Sequence, residues 1–393
     1  MSSSASQVGE RVRGFVAGPP PSGGAAERRW ALTRILLVFV VARILVLACA
    51  LGVEALAPPD PAGPEGSLRR ATDRAVLASL SSWDGVYYVG IAADGYQPGP
   101  VNGPYPEVVF FPLYPAIVSA AATLLGGDVP LAALLVSNAA ALAALVAVYG
   151  LARVRLAPGP AILAVTLVAL QPGAVAFSMA YSDSLFLFLV CASLLAGERG
   201  ARPVAGLLAF LAALTRLQGA LLIAPLLILC WTQDRGRPRA SWLWALGAPL
   251  GTLVVGALMA DITGDPAALL ADQVAWELGE VPAAVAEPWV IVVAAVIYGG
   301  TALAFAGLLI DRWRRPPRPP DRAGLAWGLL NIIAVVVARR PQSLPRYLAP
   351  ITQAAEQLAS GLYRARTVVA ILAASVTGYC VLALLHFGLY LAP

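Results

Sequence analysis

The chain has no lysine; all 27 of its basic residues are arginine. It has one histidine, His386, and four cysteines, Cys49, Cys191, Cys230 and Cys380, each inside an apolar run. A metal site built on histidines is excluded, and the cysteine spacing fits neither a disulfide framework nor a zinc site. His386 falls in the last apolar segment, where packing is its expected role. Charge is scarce too. Only 12% of the residues are charged and 59% are hydrophobic, with a mean hydropathy of +0.76. A soluble domain carries about 25% charged and about 45–50% apolar residues. An all-α polytopic membrane protein is therefore expected. The net charge of +5 could suggest nucleic acid. The arginines, however, cluster in short loops between apolar segments, the pattern of cytoplasmic topology determinants. The expected partner is membrane lipid, and no nucleic acid.

What is present divides the chain into a tail and a membrane domain. Residues 1–29 are rich in Ser, Gly, Pro and Arg. They read as a disordered cytoplasmic tail rather than a signal peptide, because the apolar core of a signal is missing. Residues 30–393 form the integral membrane domain. Its first span is expected over 32–56, with Arg43 near the middle. A charge at that depth is costly and should face protein. It would serve either in a structural ion pair or as a contact for a substrate phosphate.

Residues 57–128 are expected to form a large external region with interfacial or re-entrant helices. Pro58, Pro59, Pro61 and Pro64 end the first helix. A short helix is plausible around 68–80, and the spacing of Trp83, Tyr87, Tyr88 and Ile91 suits a helix at the membrane interface. The run 110–126 is short and opens with Pro112 and Pro115. Arg153 and Arg155 after 129–152, and Arg199 and Arg202 after 181–197, should both lie inside. Spans at 129–152, 159–177 and 181–197 satisfy this only if 110–126 starts and ends outside. Residues 203–231 have basic flanks at both ends, so two short helices, 203–215 and 218–231, are expected with Thr215–Gly219 at an external tip. Arg216 there sits in a protein-lined depression or snorkels to the interface. Spans at 240–260, 288–310, 324–338, 347–362 and 367–391 bring the count to about eleven. The N-terminus is then inside, and 261–287 and 339–350 are outside.

This topology gathers the informative side chains on the external face. They are Trp83, Asp84, Tyr87 and Tyr88, Tyr114 in FFPLYP, Asp183 in the Tyr181–Ser184 run, Arg216, Gln218, Arg346 and Tyr347. Arginine forks match phosphate geometry. A carboxylate can take the proton of a hydroxyl that attacks as a nucleophile. An exposed aspartate taken alone is usually just solvated, so the pattern matters more than any member.

WDGVYYVGIAADGY followed by VVFFPLYP resembles the signature of the GPI mannosyltransferase 2 (PIG-V) family and its bacterial relatives. That family lies within the GT-C superfamily of membrane glycosyltransferases. AYSDSLFLFL, LTRLQGALL and PRYLAP follow in similar order. The resemblance implies a GT-C-like fold with a catalytic aspartate on interfacial helices in the first external loop. It also implies an inverting enzyme of the plasma membrane that moves mannose from a polyprenyl-phosphate-linked donor to an acceptor hydroxyl. The acceptor could belong to a glycan, a glycolipid or a protein. On that pattern Asp84 is the general base, and Arg346, with or without Arg216, stabilises the departing lipid phosphate. Asp183 and Glu107 are weaker candidates, either holding sugar hydroxyls or merely solvated. Trp83, Tyr87 and Tyr88 stack on sugar or anchor the loop at the interface. No cofactor is required, and a divalent metal stays open. Two rival readings carry forward: a transporter or lipid flippase, motivated by Arg43 and the interrupted helices, and a non-catalytic membrane subunit.

Overall fold

A computed structural model of the chain describes residues 24–56, 74–97, 106–270, 288–315, 321–338, 346, 348–361 and 365–387. Every regular element among them is helical. The first helix, Gly24–Leu56, begins inside the segment expected as tail; the remaining tail residues, 1–23, lie outside the described part.

Among the described residues, four helical stretches are long and apolar enough to cross a membrane: Gly24–Leu56, Val129–Ala152, Ala240–Thr263 and Thr367–Phe387. Pro158–Leu170 and Pro172–Ser178 make a fifth if the pair, bent by 78°, is one broken span. The expectation of about eleven full-length spans is thus not met among the described residues. The physical reason is breakage. A straight crossing needs about 20 apolar residues. Here proline, glycine and polar residues cut the runs into pieces such as Leu113–Leu124, Arg202–Ala213 and Leu217–Gln233.

Those cuts fall where the sequence suggests. Residues 110–126 yield only the 12-residue helix Leu113–Leu124. The 203–231 run is interrupted at Leu214–Arg216, between the Arg202–Ala213 helix and the Leu217–Leu222 3-10 turn. Asp128 caps the Val129–Ala152 helix by accepting a hydrogen bond from the Leu131 amide at 3.1 Å. In the first region expected to be external, helices run over Ala75–Leu80 and Asp84–Asp94. Residues 271–287 and 339–345, in the other loops expected outside, lie outside the described residues.

Packing uses small residues to bring backbones together, as membrane helices do. A Cβ placed on Gly206 would sit 2.2 Å from the Trp244 carbonyl oxygen. This contact locks the Arg202–Ala213 helix onto the start of the Ala240–Thr263 stretch. One largely buried helix carries several polar side chains. Thr352–Gly361 buries Thr352, Gln353, Glu356 and Gln357 among its neighbours. Glu356 meets Arg312 at 3.0 Å, and Arg312 also contacts Asp321. Asp321 lies 3.2 Å from Arg155, which in turn contacts Glu198. Five segments are therefore tied by one ionic network, most of it buried.

Candidate active site

The site is built around a turn of unusual backbone. Trp83 has φ 56° and ψ −122°, a left-handed conformation that a bulky side chain adopts only under constraint. Such strain costs of order 1–3 kcal/mol. Several contacts hold the turn. The Trp83 indole N–H donates to the His386 carbonyl at 3.4 Å, and the two rings lie 6.0 Å apart. The Tyr181 hydroxyl donates to the Ser82 carbonyl at 3.1 Å. The Ser82 hydroxyl donates to the Ser79 carbonyl at 2.8 Å and lies 3.4 Å from His386 Nε2. His386 is indeed buried, but its packing partner is the turn that aims the next residue, Asp84.

Asp84 opens the Asp84–Asp94 helix, where the helix dipole favours a carboxylate. Arg346 Nη1 donates to Asp84 Oδ2 at 2.5 Å. The same guanidinium donates from Nε to Asp183 Oδ1 at 2.9 Å and lies over the Tyr181 ring, 4.6 Å from its centroid. Arg216 Nη1 lies 2.9 Å from the other oxygen, Asp183 Oδ2. The result is an alternating chain: Asp84, Arg346, Asp183, Arg216. Its members come from four segments far apart in sequence. Side-chain exposure is lowest in its middle, with Arg346 at 5% and Asp183 at 6%, and higher at its ends, with Arg216 at 12% and Asp84 at 23%. Asp84 is the most exposed member.

The aromatic candidates divide. Trp83, Tyr88 and Tyr114 are buried. The Tyr88 hydroxyl pairs with Ser182 Oγ at 2.7 Å. The Tyr114 hydroxyl donates to the Ala133 carbonyl at 2.9 Å and lies 2.7 Å from Ser137 Oγ. Ser137 in turn donates to the Tyr181 carbonyl at 2.9 Å. These buried rings wall the site and pack against the 181–184 segment. Burial pushes the Tyr88 hydroxyl up to about 12, so it stays protonated at neutral pH. Tyr87 is the partly open ring, stacked on Phe110 at 4.7 Å. Gln218 is half-buried on the turn after Arg216, and no hydrogen bond joins it to the chain of charges among the described residues. Tyr347 lies outside the described residues. Glu107 accepts from the Gln97 amide at 2.9 Å, away from that chain.

Two findings were not legible in the sequence. Arg43 donates to Asn138 Oδ1 at 2.6 Å and to the Phe177 carbonyl at 2.8 Å. Its partners are neutral, so the expected ion pair is absent among the described residues. The Ser184 hydroxyl shares that Phe177 carbonyl at 3.1 Å, which places Arg43 behind Asp183 as a brace. The second is Trp327. Its indole N–H donates to the Pro350 carbonyl at 3.1 Å, and its ring lies 6.4 Å from Phe186. It touches both the stretch after Arg346 and the helix that starts at Asp183. No local pattern marks it, since it sits in an ordinary apolar helix. No group of three or more His, Cys, Asp or Glu side chains gathers to hold a metal among the described residues.

Against known proteins, the profile of the family described as mannosyltransferase (PIG-V) matches residues 29–231, just over half of the chain. The matched part contains Asp84, Asp183 and Arg216 but not Arg346. No curated protein sequence matches. Among solved structures, the apo form of the Archaeoglobus fulgidus oligosaccharyltransferase is similar in fold, with TM-score 0.52 and 14% identity over 90% of this chain and 56% of that one. Its complex with Zn and sulfate gives TM-score 0.49 and 16% identity over 89% and 53%. This chain spans a little over half the length of those proteins. At such identity the likeness is one of fold.

Proposed function

The chain belongs to the mannosyltransferase (PIG-V) family, and from that premise we propose that it transfers mannose from a polyprenyl-phosphate carrier to an acceptor hydroxyl, with inversion at the sugar carbon. The observation that carries this is the 2.5 Å contact between Asp84 and Arg346, a carboxylate and a phosphate-matching fork presented together.

The proposed step is a single displacement. The acceptor oxygen forms a bond to C1 of the mannosyl group as its proton passes to the Asp84 carboxylate. The bond from C1 to the phosphate oxygen breaks, and the lipid phosphate leaves as an anion. Attack from the face opposite the phosphate converts a β donor into an α product. Arg346 exchanges part of its contact with Asp84 for the phosphate, and Asp183 holds its other edge. Arg216, on the far side of Asp183, adds positive charge to the same region. Fixed donors at a developing anion are worth about 10²–10³ in rate each. Arginines suffice for the departing charge, so a metal is not needed in this scheme. The acceptor is a glycan, glycolipid or protein.

In this proposal the protein is a multi-pass enzyme of the plasma membrane, with residues 1–29 cytoplasmic and the Asp84 turn on the external face. The broken helices supply the remaining crossings of an eleven-span topology. The transporter alternative loses its main motive, because Arg43 braces the 177–184 segment through neutral partners.

The direct test assays mannosyl transfer from polyprenyl-phosphate mannose in membranes containing Asp84→Asn. Near wild-type turnover in that variant would remove Asp84 as the base. Absence of transfer by the unmodified protein with any lipid-phosphate sugar would remove the enzyme assignment itself.

A further inference from the structure

A second surface, away from the Asp84 site, gathers arginine and tryptophan without serving the proposed chemistry. The turn after the Ile223–Gln233 helix runs Asp234-Arg235-Gly236-Arg237-Pro238-Arg239 into the Ala240–Thr263 stretch, which is long and apolar enough to cross a membrane. The Gln233 amide donates to the Gly197 carbonyl at 2.8 Å, so the turn bearing Arg199 and Arg202 lies alongside. Five arginines, at 199, 202, 235, 237 and 239, thus line these turns with two carboxylates, Glu198 and Asp234. Asp234 is already committed: it lies 2.9 Å from Arg202 and 3.4 Å from Arg239, and it accepts from the Trp242 indole at 2.6 Å. Glu198 is taken by Arg155. Arg199, Arg235 and Arg237 are exposed and have no carboxylate within ion-pair distance among the described residues.

Beside this charge lie large apolar groups. Trp231, Leu243 and Trp244 are 56%, 65% and 49% exposed. A narrow notch walled by Leu226, Leu229 and Trp244 opens next to Arg202. Arginine at the boundary of an apolar stretch, with tryptophan at the same level, matches a phosphate-bearing headgroup above and acyl chain below.

We infer that the face formed by Arg199, Arg202, Arg235, Arg237, Trp231 and Trp244 binds a glycerophospholipid with an anionic headgroup in preference to a zwitterionic one. The excess of unneutralised guanidinium selects the headgroup, and the exposed tryptophans and Leu243 lie against the acyl chains. Binding here is independent of the transfer reaction at the Asp84 site.

The test uses the full chain in phosphatidylcholine vesicles, with a minor fraction of either phosphatidylglycerol or phosphatidylcholine brominated on its acyl chains. Tryptophan fluorescence is the readout. The expected result is stronger quenching by brominated phosphatidylglycerol than by the same fraction of brominated phosphatidylcholine. Each arginine near a membrane surface contributes about fivefold to association with anionic lipid. The double variant R235Q/R237Q should therefore lower the preference about 25-fold while quenching by brominated phosphatidylcholine stays unchanged, which shows that the variant is still inserted. If that second quenching is also lost, R237Q alone carries the test with about a fivefold effect. Equal quenching by the two lipids in the unmodified protein, or an undiminished preference in the variants, would overturn the inference. So would displacement of the lipid by inorganic phosphate at matched concentration, since that would mark a bare phosphate site.

Discussion

Two ionic networks sit on shared scaffolding and differ in one respect, access. The Asp183–Glu198 helix carries Asp183 into the first network and Glu198 into the second. The stretch from Arg346 into the Thr352–Gly361 helix carries Arg346 into the first and Glu356 into the second. The second network is the more closed: the side chains of Arg312, Asp321 and Glu356 are 2–3% exposed, Arg155 is 4% and the terminal Glu198 16%. Its charges pair with one another and hold separate segments together. The first network ends on Asp84, whose side chain is 23% exposed. An open end is what allows a chain of alternating charges to exchange one partner for a substrate. The exposure of the terminal carboxylate, 23% for Asp84 against 16% for Glu198, is what separates the two networks.

Variants can break or sharpen that contrast. The largest effect is expected from Asp84→Asn, which should cost about 10²–10⁴ in kcat and leave the melting temperature unchanged, as read by transfer assay and thermal unfolding together. Arg312→Met should do the reverse. It leaves Glu356 buried without its charge partner, and removing one member of a buried pair costs about 3–5 kcal/mol. The melting temperature should fall sharply while activity per folded molecule persists. Arg346→Lys keeps the charge but loses the fork that spans Asp84 and Asp183. It should lower kcat by about 10²–10³ with a smaller stability change. The mildest is Tyr88→Phe, which removes a hydrogen bond to Ser182 and should cost about 1 kcal/mol. Because burial raises the Tyr88 hydroxyl to about 12, the pH–rate profile between pH 6 and 9 should be the same with and without it. If Arg312→Met abolished activity in fully folded protein, or Asp84→Asn unfolded it, the division between the two networks would fail.

The sequence by itself determined the class. Hydropathy of this magnitude leaves only helices in lipid, because every backbone amide must be satisfied within its own segment. It also marked two of the breaks, at Pro112 and at the Thr215-Arg216 pair, but not the 78° bend at Pro172, inside a run expected to cross unbroken. Asp84, Asp183, Arg216 and Arg346 were singled out by residue type and by family resemblance. The tertiary structure alone decided that these four touch in one alternating chain, because the contacts join segments up to 262 residues apart. It alone turned Trp83, Tyr88 and Tyr114 into walls and gave Arg43 neutral partners. It also recruited Trp327 and His386 as supports. Local sequence specifies what a residue can do; which neighbour it does it with depends on packing, and packing is set by the whole chain at once.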